Sequence, residues 1–316
     1  MSIFNIMKIN NIHIVVNPTA GSGKAGKIAS EIEQKVKTMF GDTVSISFTK
    51  EKNDATLLTR KALWSGASLI IAIGGDGTIN EVANGFFDKG LPINPDCELG
   101  IINCGTGRGF ANSLKLPKTI DEQLKVLQKP GNKIVDLGSI TCTDFSGKVS
   151  KRLFINECQA GIGSEVASKV IGKKQKKYGG KLAFGITATM QALRFNSILL
   201  NIEFDDEPEQ LFKLIGLVIG NGTECAGGMK LTPGAKLDDA FFDVLLMNDM
   251  NIRTRLLNLS KTYNGSHIHS PYFTIRKCKK LKVSSLSNSL LEADGEMLGF
   301  SPFTVEMLPA ALKVKS

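Results

Sequence analysis

What this sequence lacks narrows its reading first. No apolar run in the 316 residues approaches the roughly 18 needed to cross a bilayer as a helix. The opening MSIFNIMKINNIHIVVN is broken by Asn and Lys and precedes no small-residue cleavage site, so no signal peptide is expected and the protein is read as cytoplasmic. Six cysteines include no C-x-x-C pair and no zinc-like spacing, and in a reducing compartment they read as small core residues. The histidines are only His13, His267 and His269, which argues against a histidine-based metal centre or catalytic triad. With one Trp, three Tyr and no aromatic residues interleaved with basic ones, the stacking platform of a single-strand binder is missing, and no nucleic-acid partner is expected. There is also no internal repeat or low-complexity linker.

What is present is the composition of a globular chain, 42% hydrophobic and 22% charged, long enough for two domains or one large one. The formal net charge of +9 is concentrated in two runs: Lys173, Lys174, Lys176, Lys177 and Lys181 in GKKQKKYGGK, and Arg276, Lys277, Lys279, Lys280 and Lys282 in RKCKKLK. Each is either a solvated face or a surface for anionic lipid headgroups, where a basic residue contributes up to about 1 kcal/mol.

Up to about residue 135, short apolar runs alternate with helical patterns. NIHIVVN, VSISF, SLIIAIGG and LGIINCG read as strands; KIASEIEQKVKTMF, DATLLTRKALWSG, TINEVANGFF and TIDEQLKVLQK read as helices. Such alternation predicts a parallel sheet covered on both faces. Beyond Asp136 most segments are strand-like, KRLFINECQAG and LFKLIGLVIGN among them, with one helical interlude around GGKLAFGITATMQALRF, so a mostly β second domain is expected.

Three glycine-rich loops follow strands of the first half. NPTAGSGKAGK fits G-x-x-x-x-G-K, but Ile28 stands where a P-loop needs Ser or Thr; its amides could still hold a phosphate at a helix start. Gly74-Gly75-Asp76-Gly77-Thr78 combines glycines, which permit positive φ and close phosphate approach, with an aspartate that repels phosphate unless a cation intervenes. Asp76 is therefore a magnesium-linked group, a partner for a substrate hydroxyl, or a helix cap. Gly105-Thr106-Gly107-Arg108-Gly109 is the third loop, and three such loops at the same ends of parallel strands would converge on one crevice.

GGDGTINEVANGF closely resembles the signature of the diacylglycerol kinase catalytic domain, shared by bacterial lipid kinases and the sphingosine and ceramide kinases. NPTAGSGK, FTKEKNDA, GTGRGFANSL, VDLG, FINECQAGIG, GNGTECAGGMKLTPGAKLDDAFFDV and LEADGE follow in that family's order, so the resemblance covers nearly the whole chain. It implies a Rossmann-like three-layer α/β nucleotide-binding domain over 1–135, with 303–316 returning to it, and a β-rich, sandwich-like lipid-substrate domain over 136–302. ATP and Mg2+ are the implied cofactors. Asn17, Pro18, Thr19, Ala20, Gly21, Thr49, Gly75, Asp76, Gly77, Thr78, Glu81 and Thr106 match the ATP site. Asp76 matches the acid tied to nucleotide and magnesium, Glu296 the general base, and Asp294 stands with Glu296 in the same D-G-E motif. Lys236, Asp239 and Phe241 match a metal site away from the chemistry, formed by the Asp239 carboxylate and two backbone carbonyls.

Arg108-Gly109 departs from the family, which usually has Asn-Asp there, and Ala240 replaces a usual Gly. The first change leaves Asp76, Asp136, Asp294 and Glu296 for the acidic network. Either another acid compensates, or Arg108 contacts phosphate, or activity is reduced. An ATP-dependent lipid kinase working peripherally at an anionic membrane, with a homodimer reasonable, stands beside a kinase of a soluble acceptor such as NAD or a sugar phosphate, and beside a non-catalytic nucleotide or lipid sensor.

Overall fold

The computed structural model describes residues 11–316 except 42, 106, 171–179, 226–227 and 286–287, and for 180–184 the backbone alone. The chain forms two compact units. The first contains the chain to Gly105, Pro117–Ile134 and Leu312–Ser316; the second contains Thr106–Leu116 and Val135–Ala311.

In chain order the first half runs β1 (Ile12–Val16), α1 (Lys24–Phe40), β2 (Val44–Phe48), α2 (Asp54–Trp64), β3 (Leu69–Gly74), α3 (Asp76–Gly85), the ribbon β4 (Phe87–Asp88) and β5 (Leu91–Pro92), β6 (Glu98–Asn103), α4 (Gly109–Ser113) and α5 (Ile120–Gln128). All the described helical and strand segments expected of this half are present. In the first unit β2, β1, β3 and β6 lie side by side and parallel, with Val16 beside Ile73 and Gly74 beside Asn103, so the strands end level. Strand alternation sends Ile12, Ile14 and Val16 to one face, where Ala25, Ala29, Ile32 and Val36 of α1 and Leu124 and Leu127 of α5 cover them. Val15, Ile70 and Ala72 are equally buried on the other face, where α2 touches β1 and α3 touches β3. Each such Ile or Leu contributes about 1.5–3 kcal/mol on burial.

The second half continues with β7 (Lys133–Thr143), β8 (Val149–Phe154), β9 (Glu157–Gly161), α6 (Ile162–Val170), α7 (Gly180–Arg194), β10 (Ile198–Phe204), β11 (Gln210–Gly220), β12 (Phe242–Asn248), α8 (Ile252–Lys261), β13 (Phe273–Cys278), β14 (Lys280–Ser285), β15 (Leu290–Ala293) and β16 (Glu296–Val314). Its pairings within the second unit are antiparallel: β13, β12, β11, β10 and β14 in order, β9 against β11 and β15, and β7 against β8. A core of Phe154, Phe204, Phe242, Leu217, Leu281 and Val305 lies inside, with the Phe154 and Phe242 rings stacked 5.6 Å apart. A second cluster packs Val166, Ala188, Leu245 and Met247 beneath α6 and α7.

Four differences from the sequence reading matter. The second unit has α6, α7 and α8 where one helical interlude was expected. KRLFINECQAG is two strands that break at Ile155-Asn156. The segment returning to the first unit is only Leu312–Ser316, because residues 303–306 pair with β14; there Val314 lies beside Leu99, and the buried Lys315 ammonium binds Glu98 at 3.0 Å. Thr106–Leu116, assigned by sequence to the nucleotide domain, belongs to the second unit.

Asp136 is buried and accepts from the Ala240 and Ala310 amides, both at 2.7 Å. It is thus a structural tie rather than a member of the acidic network. Asp136→Ala should lower stability by about 2 kcal/mol or more, since both donors lose a charged acceptor, and Asp136→Asn by less; urea unfolding of the two variants measures this.

Candidate active site

In the first unit the three loops meet because their backbones leave no room for side chains. A Cβ on Gly21 would lie 2.3 Å from the Cys104 carbonyl oxygen, and one on Gly105 would lie 2.6 Å from Gly75 Cα. Gly74 is filled by Thr78, whose hydroxyl a Cβ would meet at 2.4 Å. Only Gly21 among these has positive φ, at 59°. Close approach, not left-handed backbone, is therefore what the Gly74-Gly75 pair provides. Beyond Gly77 a Cβ would meet nothing within 4 Å, which leaves space over the start of α3.

Asn17 ties the first two loops, donating to the Thr78 hydroxyl at 3.2 Å and accepting from the Thr19 amide at 3.1 Å. Pro18 accepts from Gly26, Ala20 donates to the Asn17 carbonyl, and Thr49 donates to Val16 at 2.8 Å, so all of these lie at the strand ends. Neither α1 nor α3 receives a side-chain cap: Gly23 and Gly75 occupy the cap positions. Their first amides and positive dipole ends are available to an anion. Asp76 opens α3 beside them. The Glu81 carboxylate accepts from the Asn53 and Ala55 amides at the start of α2. Thr106 lies outside the described residues.

In the second unit the D-G-E motif is a tight turn between β15 and β16, with Asp294 at φ 48° and Gly295 at φ 84°. The Asp294 carboxylate accepts three successive amides, Ile155 at 2.7 Å and Asn156 and Glu157 at 3.0 Å. It breaks the strand between β8 and β9 and acts as a positioning residue, not as a group free for proton transfer. Asn156 is turned by that break so that its amide donates to the Glu224 carbonyl at 2.5 Å and its Oδ1 accepts from Ser113 at 3.3 Å. Glu296 pairs with Arg152 at 3.2 Å. Glu157 accepts from the Gln159 amide, and Gln159 lines an apolar cavity of about 90 Å3 with Val166, Ala188, Ile215, Met229 and Phe273. The acidic turn and the cavity thus share one polar link. Sequence reasoning missed Asn156, Gln159 and Glu224, although FINECQ and GNGTEC were visible as motifs.

Arg108, at φ 58°, donates to the Leu116 carbonyl at 3.2 Å. Gly109 is confined: a Cβ there would stand 3.0 Å from the Glu224 carbonyl oxygen and 3.2 Å from the Asn156 amide nitrogen. Glu224 itself reaches the same helix one turn on, accepting from Asn112 at 2.8 Å. Among the described residues its carboxylate has no cationic partner.

At the expected metal loop, Asp239 does not stand open to a cation. Lys277 Nζ lies 2.7 Å from Asp239 and 3.1 Å from Asp243. Asp239 Oδ1 also accepts from the Phe241 amide at 3.2 Å. With one carboxylate, already paired to an ammonium, the Lys236, Asp239 and Phe241 set does not fit a divalent ion. No cluster of three or more acidic, His or Cys ligands occurs among the described residues. Most of the second basic run is likewise neutralised in place: Arg276 pairs with Glu207, Lys280 with Glu306 and Lys282 with Glu203, while Lys279 lies over the Phe241 ring. Of the first run, Lys173, Lys174, Lys176 and Lys177, and the Lys181 side chain, lie outside the described residues.

With this geometry in hand, the relatives can be placed. The diacylglycerol kinase catalytic domain family matches residues 11–140, and the YegS C-terminal NAD kinase beta sandwich-like domain family matches residues 157–316. The diacylglycerol kinase of Staphylococcus saprophyticus is 32% identical over 292 residues, covering 92% of this chain and 90% of its own. That of Staphylococcus carnosus is 29% identical over 289 residues, 92% and 89% of the two chains. A solved Bacillus anthracis diacylglycerol kinase shares the fold, with TM-score 0.71, 21% identity and coverage of 98% and 97%. The chain belongs to the diacylglycerol kinase family and is a kinase of that type. Among the described residues no helix is long and apolar enough to cross a membrane.

One carboxyl of the turn has a displaced pKa. Burial pushes Glu292 up from 4.5 to about 8, opposed by the Gly295 amide it accepts and reinforced by the Asp294 charge. Its folded pKa lies above its unfolded one, so its contribution to stability is complete below pH 4.5 and is lost as pH rises through about 8. Glu292→Gln should therefore gain stability over the parent across that window. Chemical denaturation of both proteins below and above it gives the difference, and an unchanged difference would contradict the assignment.

Proposed function

We propose that this chain is an ATP-dependent lipid kinase that transfers the γ-phosphoryl group to the hydroxyl of a membrane lipid of the diacylglycerol type. The observation that carries the reading is the link from the Glu296 turn to an apolar cavity through Glu157 and Gln159, in a chain whose other unit offers two uncapped helix starts to phosphate. A soluble, strongly polar acceptor has no use for that cavity. The names of the curated relatives support the same substrate class.

Phosphoryl transfer needs positioning and charge stabilisation more than covalent help. The amides at the starts of α1 and α3, with Asn17 and Thr78, bind and orient the triphosphate. Asp76 would hold a magnesium ion arriving with the nucleotide, which supplies charge neutralisation at the phosphates when bound. The lipid hydroxyl oxygen forms a bond to the γ-phosphorus as the bond to the β–γ bridging oxygen breaks; ADP leaves and the hydroxyl proton passes to a Glu296 oxygen. Arg152 orients that carboxylate. Of the alternatives that Arg108-Gly109 raises, a compensating acid is the one the geometry favours: Glu224 brings to the helix that Gly109 begins a carboxylate that has no cationic partner among the described residues.

The docking face is assigned to α7 and α8. Ile186, Met190 and Leu193 of α7 are exposed at near-helical spacing, and Ile252, Leu256 and Leu257 of α8 are exposed with Arg253 and Lys261. An apolar face with basic residues suits a peripheral membrane protein.

Purified protein with ATP and magnesium should phosphorylate a component of a lipid extract, identified by mass spectrometry, in preference to soluble metabolites. Glu296→Gln should reduce the rate about a hundredfold or more with unchanged melting. Glu224→Gln keeps an acceptor for Asn112, so a lower rate in that variant would report the charge; an unchanged rate would remove Glu224 from the mechanism. Vesicle binding should rise with anionic lipid, fall with salt and weaken in Leu257→Asp. Equal binding to neutral vesicles at every ionic strength would eliminate the electrostatic component.

A further inference from the structure

The loop that the family resemblance assigns to a structural metal carries its own cation. We infer that the Lys277 ammonium takes the place of a divalent ion there, so that this loop is held without metal.

The placement follows from strand register. Asp243 of β12 lies directly opposite Lys277 of β13, and Asp239 lies four residues before Asp243 on the loop entering that strand. The ammonium therefore bridges two carboxylates, at 2.7 and 3.1 Å. The Asp243 side chain is only 4% exposed, so an unpaired charge there would be costly, and Lys277 is the cation that meets it. The loop backbone is fixed independently: the Ala240 amide, at φ 60°, donates to Asp136, and the Phe241 amide donates to Asp239. A divalent ion on the Asp239 carboxylate would have to displace the ammonium or sit beside it, cation against cation.

The inference does not depend on the kinase reading, because its test uses no substrate. Thermal unfolding of the full chain should be the same in EDTA and in excess magnesium. Lys277→Met removes the charge while keeping most of the aliphatic stem; it should melt lower in EDTA and recover when magnesium or manganese is added. Electron paramagnetic resonance titration without nucleotide should find one more bound Mn2+ per chain in Lys277→Met than in the parent, and Asp239→Asn should change nothing in the parent's Mn2+ count. A parent that loses stability in EDTA, or that loses one bound Mn2+ on Asp239→Asn, overturns the inference. If Lys277→Met fails to fold, the EDTA comparison and the Asp239→Asn count on the parent background still decide it.

Discussion

The second unit depends on one carboxylate. Asp294 accepts three consecutive amides from residues 155–157, and a strand that would otherwise run unbroken must stop there. That interruption turns Asn156 toward Glu224 and Ser113, and it starts β9 with Glu157 and Gln159 in the places where they join the acidic turn to the cavity. A charged acceptor for three donors is among the stronger polar arrangements available to a chain. Removing it would disorganise several groups together, whereas removing any one of them would leave the clamp in place.

The first unit depends on exclusion instead. Gly21 and Gly105 hold their loops against Cys104 and Gly75 at distances that no Cβ permits, and the packing leaves the amide ends of α1 and α3 pointing into space that no cap fills. A cap would stabilise either helix by about 1 kcal/mol. Its absence at the starts of both helices is a concession that an anionic ligand repays.

Much of this was legible in the sequence. The period of apolar residues located α1, α2, α3, α5 and the parallel strands, because each of those elements buries one face against a sheet and so carries a clean pattern. The three loops were legible as glycine clusters, but the reason for the glycines was not: positive φ and close approach leave the same letter, and only the backbone distances separate them. The break at Ile155-Asn156 was hidden because FINECQ is apolar and strand-like on both sides, while the residue that breaks it lies more than a hundred positions away. The helices α6 and α8 were obscured by the β patterning of their surroundings.

Acidic residues were the least legible, since a sequence shows a carboxylate and not its partner. Asp136 accepts two amides, Glu81 two, Asp294 three, and Asp239 an amide and an ammonium. Each is occupied by the fold. Glu296 is held in an ion pair with Arg152, and Glu224, unremarked in the sequence, has among the described residues the neutral Asn112 amide for a partner. A carboxylate satisfied by backbone donors gains little by binding a proton or a cation, because doing so forfeits the hydrogen bonds that hold it. In the proposed reaction the chemistry is therefore given to Asp76, Glu224 and Glu296, while the acids that accept two or three backbone amides serve the fold.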